Sequence, residues 1–324
     1  MVKNHPHDTH LLTTHLLTYS PPSMQYHITH RTTYQYTEPV SVCHNLVRLS
    51  PRQMPSQVPR DYQLQVIPEP ITRSRRFDYF GNQVEYFALQ EAHRELAIAT
   101  TSVVEVSPPL PATTSPAWEQ VLEQLHTDRS AQGLEAYHLS LPTERTSNLE
   151  ALRVYAAGSF GKTRPICDAV DELVARIHAD FAFDPLATTV HSSAADLLSV
   201  RRGVCQDFTH FAIGCVRAMG LAARYVSGYV RNDPPAGSPR LVGGDASHAW
   251  LAVYAGPTGW IDFDPTNNLR VGADHITVAW GRDYADICPI QGVFVGGGQH
   301  SMQIGVDVVP SEGSGARGQG SGKE

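Results

Sequence analysis

Lysine is nearly absent from this chain: Lys3, Lys162 and Lys323 are the only three in 324 residues, and the formal net charge is −7. With no basic field to attract phosphates, nucleic acid is excluded as an expected partner. Cysteine is scarce as well. Cys43, Cys167, Cys205, Cys215 and Cys288 make an odd set with no C-x-x-C spacing. That fits neither a disulfide framework nor a thiolate zinc site, and it points to a reducing compartment. Long apolar runs are missing: none approaches the roughly 20 residues of a membrane span. The opening Met-Val-Lys-Asn-His-Pro-His lacks the apolar core of a secretion signal. The expectation is a cytoplasmic protein without a membrane partner. What the chain does have is 41% hydrophobic residues, enough for real cores, and a length that fits about two domains.

Residues 1–23 are rich in His, Thr and Pro without periodicity and are read as a disordered extension; Met24, which opens the first patterned segment, is a second candidate start codon. His5, His7, Asp8 and His10 are metal-ligand types on a polar tail, but a metal site needs a rigid cage, so no metal is expected there. From 24 to 108 the pattern is short strands. Tyr62, Leu64 and Val66 alternate with glutamines, Asp78–Asn82 is a turn candidate, and Ile98 to Val106 reads as another strand. This predicts an antiparallel β domain. Pro108, Pro109, Pro111 and Pro116 bound it. Residues 109–160 read as a linker with short helices. Ile166, Val170, Leu173, Val174, Ile177 and Phe181 then share one helical face. Residues 161–309 are read as the core with its closing strands, and 310–324 as a disordered Gly/Ser tail.

The chemistry is concentrated in the core. Gly203-Val-Cys205-Gln-Asp opens a helix ended by Gly220, so Cys205 lies at a helix N-terminus, where the macrodipole and unpaired N–H groups favour the thiolate. Gly203 reads as room for a substrate backbone. Cys215, on the apolar face of the same helix, reads as packing. Leu221 to Val230 is a strand, Asn232 to Gly244 a Pro/Gly loop, and His248-Ala-Trp-Leu-Ala-Val-Tyr the next strand. Gly256–Gly259 is a hairpin turn that brings Trp260–Asp264 back beside it, which places His248 near Asp264. Asp262 is the rival on the same strand face; Pro265 puts Asp264 at the strand end, and Asp264 is preferred. His210 is read as packing or as support for the site. His44, His93, His178, His191, His275 and His300 stand in no motif.

Arg-Arg-Gly-Val-Cys-Gln-Asp-Phe-Thr-His, Ser-His-Ala-Trp and Trp-Ile-Asp-Phe-Asp-Pro-Thr-Asn resemble the transglutaminase-like superfamily of papain-type cysteine enzymes. Met24-Gln-Tyr-His-Ile-Thr-His-Arg, Asn45-Leu-Val-Arg-Leu-Ser-Pro-Arg and Gly281-Arg-Asp-Tyr-Ala-Asp are similar to its bacterial members with an N-terminal β region. The resemblance implies an α+β fold: an antiparallel β domain followed by a catalytic helix packed on an antiparallel sheet. It implies that Cys205 is the nucleophile, His248 the base and Asp264 the orienting carboxylate, with no cofactor. No acidic loop of EF-hand type is present, so calcium is not implied.

Together these residues predict thiol acyl transfer on amide bonds of peptides or proteins, with water preferred as the acceptor. Transfer to an amine is the alternative, and a non-catalytic peptide-binding module the third reading. The Cys205 N–H is the natural first oxyanion donor; Trp250 and Gln206 are candidates for the second. The β domain is expected to pack on the core and to form one wall of the cleft. Arg282 and Asp283 are expected to form a structural ion pair near the site, with contact to substrate as the alternative.

Overall fold

The first strand, β1 (Met24–Val47), buries alternate positions along its first half, Tyr26, Ile28, His30 and Thr32. This is the period-2 signature of a sheet with one covered face. The structure, a computed structural model, describes residues 23–107, 114–147, 149–185, 194–232 and 246–311. The expected N-terminal extension, the Gly/Ser tail, most of the proline-rich boundary and the Pro/Gly loop after Asn232 lie almost wholly outside these residues.

β2 (Gln57–Ile67), β3 (Thr72–Phe77), β4 (Gln83–Leu89) and β5 (His93–Val106) join β1 in an antiparallel sheet. The predicted turn connects β3 to β4. The Asp78 carboxylate accepts from Phe80 N at 3.0 Å and Asn82 N at 2.9 Å, while Gly81 adopts φ +72°. β4 and β5 run one after the other along one edge of β1.

The short helices expected before the core are α1 (Trp118–Thr127), α2 (Ala131–His138) and α3 (Leu149–Ala156). α4 (Ile166–Asp180) buries the predicted face of Ile166, Val170, Leu173, Val174 and Ile177. β6 (Ala182–Phe183), α5 (Ala194–Val200) and β7 (Arg202–Gly203) lead into α6 (Cys205–Ala218). α6 is buried all round from Gln206 to Arg217, which marks it as the helix at the centre of the core. Gly220 follows it at φ +81°. β8 (Ala223–Val230), β9 (Ala246–Tyr254), β10 (Trp260–Asp264), β11 (Leu269–Arg270) and β12 (His275–Gly281) form a second antiparallel sheet in the order β11-β10-β9-β8-β12. α6 packs on β8 and β9 of this sheet and against α3, α4 and α5. The chain is α+β, with an antiparallel N-terminal sheet ahead of a helix-on-sheet core.

α7 (Tyr284–Ile287) precedes β13 (Ile290–Gly296) and β14 (His300–Pro310). These two strands do not extend the core sheet. They return to the N-terminal sheet and pair antiparallel with β1, β13 against Val40–Val47 and β14 against Tyr26–Tyr36.

The two sheets meet along β12, an edge strand of the core sheet. The Gln57 side-chain amide donates to Thr277 O and accepts from Thr277 N, both at 2.8 Å. Asn82 repeats the motif on Trp280, donating to O at 2.8 Å and accepting from N at 2.9 Å. Side chains of the N-terminal sheet thereby occupy backbone groups that an edge strand otherwise leaves open. Tyr26, Ile28, Val104, Val306 and Val308 share one apolar core with Phe208, Phe211 and Tyr229, so the expected packing of the β domain on the core is present. Among the described residues no helix is long and apolar enough to cross a membrane.

Candidate active site

Cys205 is the first residue of α6, and Val204 is its N-cap. A valine side chain cannot accept a hydrogen bond. Asp207, one turn in, does so instead: its Oδ2 accepts from Val204 N at 2.8 Å. This is the reaching-back half of a capping box, and it places an acidic group in the first turn, where the macrodipole favours it. The same contact explains Gly203. A Cβ there would lie 2.8 Å from Asp207 Oδ2 and 2.9 Å from its Cβ. The glycine therefore makes room for Asp207.

Cys205 is half-buried, whereas Cys43, Cys167 and Cys215 are buried. Burial raises the pKa of those three thiols, most of all that of Cys215 in the middle of α6, which holds them protonated. Cys288 is engaged with Ile290 O at 3.2 Å.

His248 sits on β9 opposite Gly228 of β8. A Cβ on Gly228 would meet Ile276 O at 2.1 Å and Trp250 Cη2 at 2.5 Å, so only glycine lets β12 and Trp250 close behind His248. Trp260 pairs with Tyr254 and Phe263 with Leu251 across the β9–β10 hairpin, whose turn has Gly256 and Gly259 at φ +64° and +81°. That register brings Asp264, at the end of β10, to His248: Nε2 donates to Oδ2 at 2.7 Å, with both side chains buried. The rival Asp262 is turned elsewhere and accepts from Trp250 Nε1 at 3.0 Å. That bond also commits the indole N–H, which removes Trp250 as a second oxyanion donor.

Asp264 is saturated. Its Oδ1 accepts from Thr266 N at 2.9 Å and Asn267 N at 3.1 Å. Its Oδ2 accepts from His248 at 2.7 Å, Asn267 Nδ2 at 2.7 Å and His275 Nε2 at 3.2 Å. Burial alone opposes a charged carboxylate, but the bonds from His248, His275 and Asn267 and the His248 charge outweigh it and hold Asp264 well below the usual carboxylate range. An ionised carboxylate only accepts, so His248 carries its hydrogen on Nε2 and the other ring nitrogen is left for Cys205. Burial works against the imidazolium too; hydrogen bonds to Asp264 and Cys205 and the charges of both reverse the balance and raise His248 to about 10. The turn that supplies Asn267 is itself pinned to α4: His178 Nδ1 donates to Thr266 O at 2.8 Å, and Arg270 grips Asp171 with Nε at 3.0 Å and Nη2 at 2.5 Å.

His210 is buried, and its Nε2 accepts from Tyr284 N at 3.2 Å. Burial, with Arg145 and Arg217 nearby, lowers it to about 3, so it packs as a neutral ring. Arg282 pairs with Asp286 at 2.8 Å, and Asp283 caps α7 by accepting from Ala285 N at 2.8 Å. The expected Arg282–Asp283 pair is thus replaced by an i,i+4 bridge and a helix cap. His275 and Asn267 were the residues sequence reasoning passed over. Asn267 follows Asp-Pro-Thr, a turn signal. His275 has no local signal, because its contact is made across the sheet. The ligand atoms of His248, Asp264 and His275 lie within 4.8 Å of one another, a spacing a divalent ion can bridge. However, the Asn267 amide nitrogen, which cannot ligate, already sits on the shared Oδ2.

Residues 26–105 match the bacterial transglutaminase-like N-terminal region, and residues 155–265 match the transglutaminase-like superfamily. An uncharacterized protein of Mycobacterium tuberculosis is 41% identical over 302 residues, covering 89% of this chain and 94% of the relative. A protein-glutamine gamma-glutamyltransferase of Pseudomonas aeruginosa is 34% identical over 102 residues, 29% of this chain and 15% of that protein. Among solved structures, a cysteine-protease candidate from Cytophaga hutchinsonii shares the fold with a TM-score of 0.72 at 22% identity, covering 90% of this chain and 92% of that one. The chain belongs to the transglutaminase-like superfamily, with the bacterial N-terminal region joined to its core.

Proposed function

We propose that this chain is a cysteine peptidase or amidase acting on amide bonds of peptides or proteins, with Cys205 as nucleophile, His248 as base and acid, and Asp264 as its orienter. The observation that carries this reading is the buried His248 ring, bonded to Asp264 at 2.7 Å, with its pKa raised by Asp264 and by Cys205 at the start of α6. In the proposed cycle the Cys205 thiolate attacks the amide carbonyl carbon, and the carbonyl π pair moves to oxygen, facing the Cys205 backbone N–H. Collapse expels the amine, which takes the proton from the His248 imidazolium. Water then adds to the thioester, giving its proton to His248, and the acid leaves as the thiolate is restored. Asp264 stays ionised throughout and fixes the imidazole tautomer.

A second reading replaces water with an amine, giving a protein-glutamine transglutaminase. The 102-residue likeness to the P. aeruginosa gamma-glutamyltransferase favours it. Mass spectrometry separates the two. Wild-type and Cys205→Ala protein are incubated with a glutamine-containing peptide library, with and without a primary amine. Cys205-dependent cleavage or deamidation is expected; Cys205-dependent amine adducts establish transfer instead. The absence of any Cys205-dependent product across peptide and protein substrates overturns both in favour of a binding module.

A further inference from the structure

We propose that His275 is a positioning residue for the reaction, a second histidine that donates to Asp264 and holds its carboxylate in register with His248. The inference rests on the reading of Cys205, His248 and Asp264 given above and adds a fourth member to it.

His275 opens β12, on the far side of β8 from His248, which is on β9. Its ring is buried, stands edge-on to Trp250 at 5.2 Å and 85°, and lies 6.1 Å from the His248 ring. Its Nε2 is 3.2 Å from the Oδ2 that also receives His248. Since Asp264 is ionised, the bond requires the hydrogen on His275 Nε2. The other nitrogen, Nδ1, is buried with no hydrogen-bond partner. A buried ring nitrogen left bare costs stability, so packing alone would be better served by an apolar ring. The carboxylate oxygen is thus held by three donors from three different segments: β9, the turn after β10, and β12. Removing one leaves the carboxylate able to rotate or to admit water. A cavity of about 510 Å³ is lined by both His275 and Asn267, so a short side chain at 275 would open Asp264 to solvent. The informative replacements are therefore of similar size.

His275→Phe keeps the ring against Trp250 and removes the donor; His275→Gln restores a donor without the ring. The expected result is a kcat about 10- to 100-fold lower in His275→Phe, the order of loss when an outer hydrogen-bond partner of a metal ligand is removed. KM should stay within about twofold, since His275 bonds Asp264 and not the substrate, and His275→Gln should regain most of the loss. Equal kcat in folded wild-type and His275→Phe, or equal impairment of the Phe and Gln variants, overturns the proposal and makes His275 a packing residue. A second readout needs no turnover. In ¹⁵N-histidine-labelled Cys205→Ala protein, two ring N–H protons bonded to one carboxylate are expected at low field, and both should move in Asp264→Asn. If the His275 proton is absent there, or does not respond to Asp264→Asn, the proposal fails even if the protein proves to be an active hydrolase. If both protons respond and no amide substrate is turned over, the proposed reaction fails while the His275–Asp264 contact stands.

Discussion

The His248 ring answers to two partners of different kinds, the Asp264 carboxylate bonded at Nε2 and the Cys205 thiol, and both raise its pKa. Because the ring is raised from 6.5 to about 10, the His248 imidazolium should outlast neutral pH. The falling limb of kcat/KM is expected near pH 10, not near 6.5. A pH–rate profile that falls between 6 and 8 would contradict this. The sign for stability is the same: a raised histidine stabilises the fold fully below about pH 6.5, and that contribution is lost as pH rises through about 10. Asp264, depressed from 3.8, works in the opposite sense. Its contribution is present above about pH 3.8 and is lost as pH falls toward its lowered midpoint. Cys205→Ala should abolish turnover by at least about 10⁴-fold with an unchanged fold, and should lower the His248 midpoint followed by NMR, because one hydrogen bond and one charge that raise it are gone. That Cys205 opens a helix, that His248 lies on a strand and that Asp264 ends the strand beside it could be read from sequence, because each position stands in a motif with its own local logic. Asn267 and His275 could not. Their roles depend on where one carboxylate oxygen points, and period-2 patterning carries no such information.

Among the elements, the helix carrying Cys205 and the strand beside His248 depend on glycine for opposite reasons. Gly203 yields space to the Asp207 side chain that caps α6, while Gly228 lets a neighbouring backbone approach. Asp207→Ala leaves Val204 N without that acceptor, and a loss of about 1 kcal/mol is expected, as for other lost caps, measurable by urea denaturation. Gly228→Ala is predicted to cost about 3 kcal/mol, the upper end for overpacking, because its Cβ would lie 2.1 Å from Ile276 O. A Gly228→Ala protein with wild-type stability and activity would show that β12 does not close on β8 as described. α4, α6 and the β9–β10 hairpin were legible as elements, since their apolar spacing and turn glycines are local. The Gly203–Asp207 contact was not legible, because a glycine that makes room for a substrate and one that makes room for its own chain look identical in sequence.

At the scale of the whole molecule, the N-terminal sheet is bound to the core through the Gln57 and Asn82 amides on β12, the strand that also carries His275. Gln57→Leu leaves the Thr277 N–H of that strand without its acceptor, while Thr277 O keeps Arg52 N at 3.0 Å; Asn82→Leu takes the partner of both the N–H and the C=O of Trp280. A loss of about 1–3 kcal/mol per substitution is expected, together with greater light scattering on heating as the edge is uncovered. Two independent unfolding transitions already present in the wild-type protein would argue against a shared core. The β character of both sheets was readable from alternation. The return of β13 and β14 to β1 was not, because strand partners so far apart in sequence leave no mark in local pattern. That return has a practical consequence. Tyr26 is the register partner of Pro310, which puts the start of β1 and the end of β14 side by side, about 5 Å apart at their Cα atoms. A few residues of linker are enough to fuse one to the other. A circularly permuted protein cut at Gly297, in the turn between β13 and β14, would then keep every strand partner it has now while beginning and ending somewhere else.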